Sequence, residues 1–407
     1  MEKENLFEET EFQYCRQINQ YYQLQDKLCI PVNKREVIQI LKNQFGVKGT
    51  QVTDFLQEIP EISLDDIYGN PKMLLVCDNW LNLETKVFFK KPNFSRSRVN
   101  IGYDSDYTEI PKFLDFLNTI FEGNQEIINY FQRVVGYCLS GYSEEQCAFF
   151  FIGSGANGKT TLLEVLRHVF GSYASSVNYN MIIKDNKLSH EEQVNLIGKR
   201  LAIINEYPNN NKINLSIFKQ LTGNDTIGFE YRQKQIEFIN KSKLIIVCNT
   251  FPHIEDFTNS FWRRCHILPF NKNITQKTRD LFMSETLKQE AQGILNWCIQ
   301  GYNNWKKEGL NIPKELKDLR NKYRYEYDNV SEFIDRMCDK KMDAEIKSSE
   351  LNKAYKSFCD ENYYKAFPPN KVGTILKIKG FQPIKIDKQR GYKGIKIKEW
   401  SKENDKQ

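Results

Sequence analysis

The chain has 407 residues, 40% hydrophobic and 27% charged, with 58 basic against 52 acidic side chains. That length exceeds one ordinary core, so two or three domains are expected, and the composition excludes a disordered or fibrous chain. No apolar run reaches membrane-spanning length, Met1 to Thr10 is acidic rather than a signal sequence, and the ten scattered cysteines include no Cys-x-x-Cys pair. These features exclude a zinc ribbon and point to reduced core thiols in a cytoplasmic protein with no membrane partner.

Residues 1–72 read as polar and mainly helical. Phe12, Ile18, Tyr21 and Tyr22, then Val37, Ile38, Ile40 and Leu41, supply apolar stripes, and Val32-Asn33-Lys34-Arg35-Glu36 reads as a helix start. The texture changes at Met73. Met73 to Cys77 reads as a strand whose hairpin partner is Val87-Phe88-Phe89. Pro111 then opens one helix, and a second runs from Glu126 to Leu139, so residues 73–145 are expected to form an α+β domain.

The next stretch organises the chain. Ala148 to Ile152 is a continuous apolar run, which reads as a buried strand. It is followed by Gly153-Ser154-Gly155-Ala156-Asn157-Gly158-Lys159-Thr160-Thr161, a fit to G-x-x-x-x-G-K-[ST]. Leu162, Leu163, Val165, Leu166 and Val169 then recur at helical spacing, and Gly171 is placed to end the helix. Strand, glycine loop and helix together make a phosphate-binding loop. Its backbone N–H groups and helix N-terminus face phosphate, Lys159 reaches the β and γ phosphates, and the Thr160 hydroxyl suits Mg²⁺. The predicted ligand is ATP with Mg²⁺.

Beyond it the chain alternates. Leu201 to Ile204 is a second buried strand, and it ends in Asn205-Glu206, where a carboxylate can polarise water or hold Mg²⁺. A helix spans Ser216 to Leu221. Thr226–Glu230 and Ile236–Ile239 flank a basic tip with Arg232 and Lys234, and Leu244 to Cys248 is a third buried strand that ends in Asn249. Phe261-Trp262-Arg263-Arg264 precedes a further short strand, Ile267-Leu268.

After Pro313 comes a charged, tyrosine-rich connector (313–328). Residues 329–400 read as three helices (Val330–Cys338, Ser348–Glu361, Asn370–Lys379) and a terminal hairpin turning at Asp387 to Gly391, the order of a winged helix. A tail of residues 401–407 follows. From Glu361 to Trp400 there are ten Lys or Arg against three acids, more than the whole chain's net charge of +6. Such concentration suits a polyanion, with Lys371, Lys377 and Lys379 on the last helix and Lys388 and Arg390 at the wing tip as phosphate contacts.

The order of these parts resembles the superfamily-three helicases of the AAA+ class, and more closely the C-terminal helicase half of phage, plasmid and poxvirus-type primase–helicases. The loop fits the narrower G-x-G-x-N-G-K-[ST] form. Gly198-Lys199-Arg200-Leu201 with Glu206 is similar to the family's Walker B region, and Phe218 to Asp225 to the segment before its DNA-contacting hairpin. Lys243 to Pro252 is similar to its motif C, with Asn249 as the sensor, and Trp262-Arg263-Arg264 to its arginine-finger segment. Asp78 to Gly141 and Gly293 to Gly301 also resemble the flanks of that core.

The resemblance implies an α/β fold: an AAA+ core with a parallel sheet (146–312), a helicase-associated domain before it (73–145) and the winged helix after it. It implies a ring, expected to be a homo-hexamer, that hydrolyses ATP and moves 3′ to 5′ on single-stranded DNA at a replication fork or origin. Lys159, Glu206, Asn249 and Arg263 or Arg264 are the implied catalytic residues, with Thr160 and Glu206 at the metal. The implied setting is replication of a phage, plasmid or genomic island in bacterial cytoplasm, with a primase or loader as a candidate partner in trans. Two departures stand out: Asn205 replaces an acid often found before the glutamate, and Gly223-Asn224-Asp225 replaces Gly-Gly-Asp. The first seventy residues are too short for a polymerase-type fold, so no priming activity is expected. The alternatives are an ATP-controlled origin-binding initiator without processive unwinding and a small-molecule P-loop kinase.

Overall fold

The computed structural model describes residues 11–398 apart from 18–19, 26–27, 64–66, 68–69, 90–94, 184–189, 209–210, 232–233, 253, 255–258 and 276–279. The chain divides into two compact units, residues 1–252 with 264–314 and residues 253–263 with 315–407.

The first unit opens with three antiparallel strands, β1 (Phe12–Cys15), β2 (Gln20–Gln25) and β3 (Leu28–Val32), followed by helices α1 (Lys34–Asn43) and α2 (Thr50–Glu58). This corrects the expectation of a mainly helical region. Tyr22 and Leu24 are buried two residues apart with Gln23 only half-buried between them, so their apolar pattern is that of a strand. The helix start at Asn33 is present. Asn33 accepts from the Glu36 N–H and the Glu36 side chain accepts from the Asn33 N–H, a reciprocal cap.

Strands β4 (Met73–Val76), β5 (Asn79–Asn82) and β6 (Phe88–Phe89) form the next sheet. Val87-Phe88-Phe89 was expected to pair with Met73–Cys77. Instead Asn79–Asn82 lies between them, pairing with β4 on one side and β6 on the other. Trp80 and Leu81 are buried, so this short stretch is stabilised as a strand by its own apolar pair. Helices α3 (Pro111–Ile120) and α4 (Gln125–Leu139) lead into the core.

The core follows as β7 (Ala148–Ile152), α5 (Lys159–Phe170), β8 (Ala174–Val177), α6 (His190–Leu196), β9 (Leu201–Ile204) and α7 (Leu215–Thr222). The hairpin β10 (Thr226–Tyr231) and β11 (Lys234–Ile239) comes next, then β12 (Lys243–Cys248) and β13 (Cys265–Pro269). Five of these strands make one parallel sheet in the order β13-β7-β12-β9-β8. β7, β9 and β12 are buried along their whole length, as a sheet covered on both faces requires. Helices α8 (Met283–Lys288) and α9 (Ala291–Glu308) close the unit, α9 packing along α4. Their backbones nearly touch: a Cβ on Gly136 would lie 2.0 Å from Tyr302 N, and one on Gly301 2.0 Å from Gln132 O.

Two buried cations fasten α4 to the sheet. Arg200, just before β9, donates to Leu139 O at 2.7 Å and to Met73 O, while Lys243, at the start of β12, donates to Ser140 O and, at 3.1 Å, to Tyr142 O. Leu139 O and Ser140 O are carbonyls at the negative end of the helix, which no intrahelical donor reaches.

The second unit contains a four-residue helix at Asn259–Trp262, then α10 (Lys314–Tyr327) from the unit boundary. After these come α11 (Asn329–Met337), β14 (Cys338–Asp339), β15 (Glu345–Lys347), α12 (Ser348–Glu361), α13 (Pro369–Ile378), β16 (Gln382–Ile386), β17 (Gln389–Lys393) and β18 (Lys396–Ile397). β15, β17 and β16 form a small antiparallel sheet in that order. Phe333, Leu351, Tyr355, Phe358, Ile375 and Leu376 lie in its core. The final hairpin is tighter than the sequence suggested, because Ile386 pairs with Gln389 and leaves only Asp387 and Lys388 in the turn.

Candidate nucleotide site

The parallel sheet brings the candidate residues to one edge. The loop Gly153 to Gly158 leaves the C-terminal end of β7, and Lys159 begins α5. Gly155 and Gly158 have φ of 102° and 85°, the left-handed region that glycine enters without strain. Asn249 follows β12, and Asn205 and Glu206 follow β9. The Gly153 N–H donates to Cys248 O at 3.2 Å and the Tyr207 N–H to Val247 O at 2.7 Å, which ties all three strand ends together.

β12 lies between β7 and β9, so two strand spacings, about 10 Å, separate the phosphate loop from Glu206. That gap has room for a terminal phosphate and a water. Glu206 is exposed and has φ of 52°, a left-handed conformation rare for a residue with a side chain. Asn249 and Thr160 are also exposed. Asn205 accepts a hydrogen bond from Arg167 Nη2 at 3.1 Å. Thr160 and Glu206 offer oxygen donors of the kind a hard divalent cation takes, and among the described residues no group of three or more His, Cys, Asp or Glu could hold one by itself. Phosphate oxygens and water would complete such a shell.

Lys159 is only 6% exposed. Its Nζ donates to Gly153 O at 2.6 Å and to Asn157 Oδ1 at 3.0 Å, and burial lowers its pKa. Cys248 lies nearby, its thiol pKa pushed up to about 12 by burial, so it stays neutral. Ser154, Gly155 and Ala156 are exposed, Thr161 is half-buried and Asn157 is buried.

The paired arginines sit differently. β13 runs parallel to β7, with Cys265 opposite Ala148, so Arg264 stands at the starting edge of the sheet. The phosphate loop leaves the other edge, about 16 Å away at five residues per strand. Arg264 therefore does not serve its own chain's loop. It is also 8% exposed, whereas Arg263 is exposed. Sequence alone did not separate the two; they differ in burial, Arg263 being the exposed one.

Of the expected DNA contacts, Arg232 lies outside the described residues and Lys234 opens β11. Lys371, Lys377, Lys388 and Arg390 are exposed. Lys379 is engaged otherwise, pairing at 2.9 Å with Asp328, which is wholly buried, and donating to Ser331 Oγ. Sequence reading placed Arg200 and Lys243 within the motifs that carry the resemblance but gave neither an individual role. A basic residue directly before an apolar run was the available signal.

Residues 151–264 match the family described as "Family of unknown function (DUF5906)". The chain is 26% identical, over 58% of its length, to the "Putative helicase L207/L206" of Acanthamoeba polyphaga mimivirus. It is 21% identical over 65% to the "Putative helicase 121R" of Invertebrate iridescent virus 3, and 26% over 46% to "Primase D5" of Fowlpox virus (strain NVSL). These alignments span 26%, 32% and 24% of the respective relatives, so the chain corresponds to about a quarter to a third of their length. In fold, the apo structure of the NrS-1 C terminal region superposes with a TM-score of 0.60 at 13% identity, covering 96% of this chain and 97% of that one. The chain is thus similar in sequence to viral putative helicases and a viral primase, and in fold to the NrS-1 C terminal region, the resemblance its motifs carried.

Proposed function

We propose that the chain is an ATP-dependent DNA helicase core that works as a ring on single-stranded DNA. The observation that carries this reading is the shared sheet edge, with the phosphate loop, Glu206 and Asn249 on three strand ends and β12 spacing the glutamate from the loop. Lys159 and the loop N–H groups hold the triphosphate. Glu206 accepts a proton from the water that attacks the γ-phosphorus, and Asn249 orients that water. Thr160 and Glu206 hold Mg²⁺, which when bound neutralises charge on the phosphates.

Arg263 acts in trans on a neighbour's nucleotide, where such a finger is worth about 10³–10⁵ in rate. This requires an assembly, and a homo-hexamer is the form we propose. Arg232 and Lys234 at the β10–β11 tip grip the DNA backbone, with movement 3′ to 5′. The C-terminal unit is read as a winged helix that contacts fork or origin DNA through Lys371, Lys377, Lys388 and Arg390. A primase or loader is proposed to act with it in trans. The proposed setting is cytoplasmic replication of a virus or mobile element. The relatives named above come from viruses called after an amoeba, invertebrates and fowl, and so lend nothing to the bacterial host expected from sequence.

The deciding experiment compares wild type and Glu206→Gln in ATP hydrolysis and in unwinding of a tailed duplex. Strand separation by the wild type alone supports the helicase reading, and the tail required gives polarity. Hydrolysis without separation favours an origin-binding initiator. Hydrolysis indifferent to DNA removes both.

A further inference from the structure

Asn157 occupies a position that the general loop pattern leaves variable. Yet its side chain is 3% exposed and both its polar ends are engaged. Oδ1 accepts from Lys159 Nζ at 3.0 Å, and Nδ2 donates to Phe270 O at 3.0 Å. Phe270 directly follows β13, its N–H donates to Ile152 O at 2.7 Å, and Lys159 Nζ lies 5.9 Å from the centre of its ring. The link from the loop to β13 passes over Gly153. A Cβ on Gly153 would lie 2.3 Å from Asn157 Nδ2 and 2.4 Å from Phe270 O. Gly153 is not among the glycines with positive φ, so this crossing, and not a special backbone angle, requires a glycine there.

We propose that Asn157 is the positioning residue for the phosphate-loop lysine: it fixes the Lys159 ammonium against two acceptors, leaves one N–H for a triphosphate oxygen, and anchors the arrangement to β13. This rests on the nucleotide-binding reading above. An ammonium has three donors, and Gly153 O and Asn157 Oδ1 take two of them. The amide is suited to the task because it accepts from lysine at one end and donates to a carbonyl at the other. Being neutral, it orients the charge without cancelling it. A carboxylate in its place would pair with Lys159 and compete with phosphate, and would also turn an oxygen toward Phe270 O. An apolar replacement would leave a buried ammonium short of an acceptor, which is costly.

The test uses the full chain with Asn157→Ala, Asn157→Asp and Gly153→Ala. It measures equilibrium binding of ATP and of tripolyphosphate, steady-state hydrolysis and thermal melting. Asn157→Ala is expected to weaken both ligands about tenfold and to raise KM with little change in kcat, the pattern of lost ground-state binding. Asn157→Asp is expected to weaken both by at least about a hundredfold while melting no lower than wild type, because the new ion pair holds the loop closed to phosphate. Gly153→Ala should reproduce Asn157→Ala, and the double variant should be no worse than either single one, since both break one link.

Binding by Asn157→Asp within about threefold of wild type, where a loss of more than about 2.5 kcal/mol is expected, would overturn the proposal. So would full additivity of Gly153→Ala and Asn157→Ala. A wild type that binds neither ATP nor tripolyphosphate overturns the nucleotide reading itself, and this proposal with it. That outcome is distinct, because the variants then have nothing to lose.

Discussion

The phosphate loop and the C-terminal hairpin both offer positive charge to an anion, by opposite constructions. Lys159 is buried and held by two acceptors at the end of a fully buried strand. Lys388 and Arg390 are exposed on a two-residue turn and the strand after it. Desolvated and fixed, the first can discriminate the shape of its ligand. The second is screened by salt and can follow any phosphate backbone. Lys379 shows why counting lysines misleads in the second case: it lies in the most basic stretch of the chain, yet its charge balances a buried Asp328.

The comparison breaks first at Glu206. If the sheet edge is a preorganised site, Glu206→Gln should lower the rate of ATP hydrolysis by about 10²–10⁴, as expected for loss of a general base. A fall below tenfold, measured by phosphate release, would move the catalytic carboxylate elsewhere. No single change at the hairpin should approach this effect.

Next comes the buried cation beneath the sheet. Lys243→Met strands the carbonyls of Ser140 and Tyr142 and should cost about 2–4 kcal/mol in denaturant unfolding. It also has a pH signature. Burial pushes the Lys243 pKa down to about 7, against about 10.4 in an unfolded chain. Between pH 7 and 8.5 the unfolded chain holds a proton that the folded chain releases, so wild-type stability should rise with pH, by at most about 1.4 kcal/mol per unit. Below that window both states hold the proton and this contribution is flat. Above it the buried cysteines, with pKa values raised by burial, act in the opposite direction. Lys243→Met should lose the rise, and an unchanged slope would remove Lys243 as its source.

At the hairpin, replacing Lys388 and Arg390 together by Ala should weaken DNA binding about tenfold at low salt. It should also reduce the slope of log affinity against log salt by about two, equally for unrelated sequences. Titrations on two duplexes at several salt concentrations test this. A loss confined to one sequence would mean base readout and favour the initiator.

How much of this was legible follows the same division. β7, β9 and β12 declare themselves because a strand buried on both faces is a continuous apolar run, and the loop motif fixes Lys159 locally. What depended on distant partners was hidden. β5 was passed over because its pairing with β4 and β6 is a choice among short segments, and β2 because its polar Gln and Tyr residues obscure a period of two. The fate of Lys379 depended on an aspartate in another helix cap. The difference between Arg263 and Arg264 is one of burial, which adjacent identical residues cannot reveal.

The smallest expected effect separates charge from conformation at the hairpin. Asp387 and Lys388 have φ of 48° and 65°, so both turn residues occupy the left-handed region. Two-residue hairpin turns with this geometry favour Asp-Gly, because glycine enters it freely. Lys388→Gly creates that pair and leaves Asp387 with its ion pair to Lys347 at 3.0 Å. Relief of the backbone should outweigh the added freedom of the unfolded chain and stabilise the hairpin by about 1 kcal/mol. Native-state hydrogen exchange should then show about fivefold greater protection of the amides pairing β16 with β17. DNA affinity should meanwhile fall by one phosphate contact, so that stability and binding move in opposite directions. Slower exchange with unchanged affinity would mean that Lys388 occupies its turn for no phosphate, leaving Arg390 and the helix lysines to account for the contact.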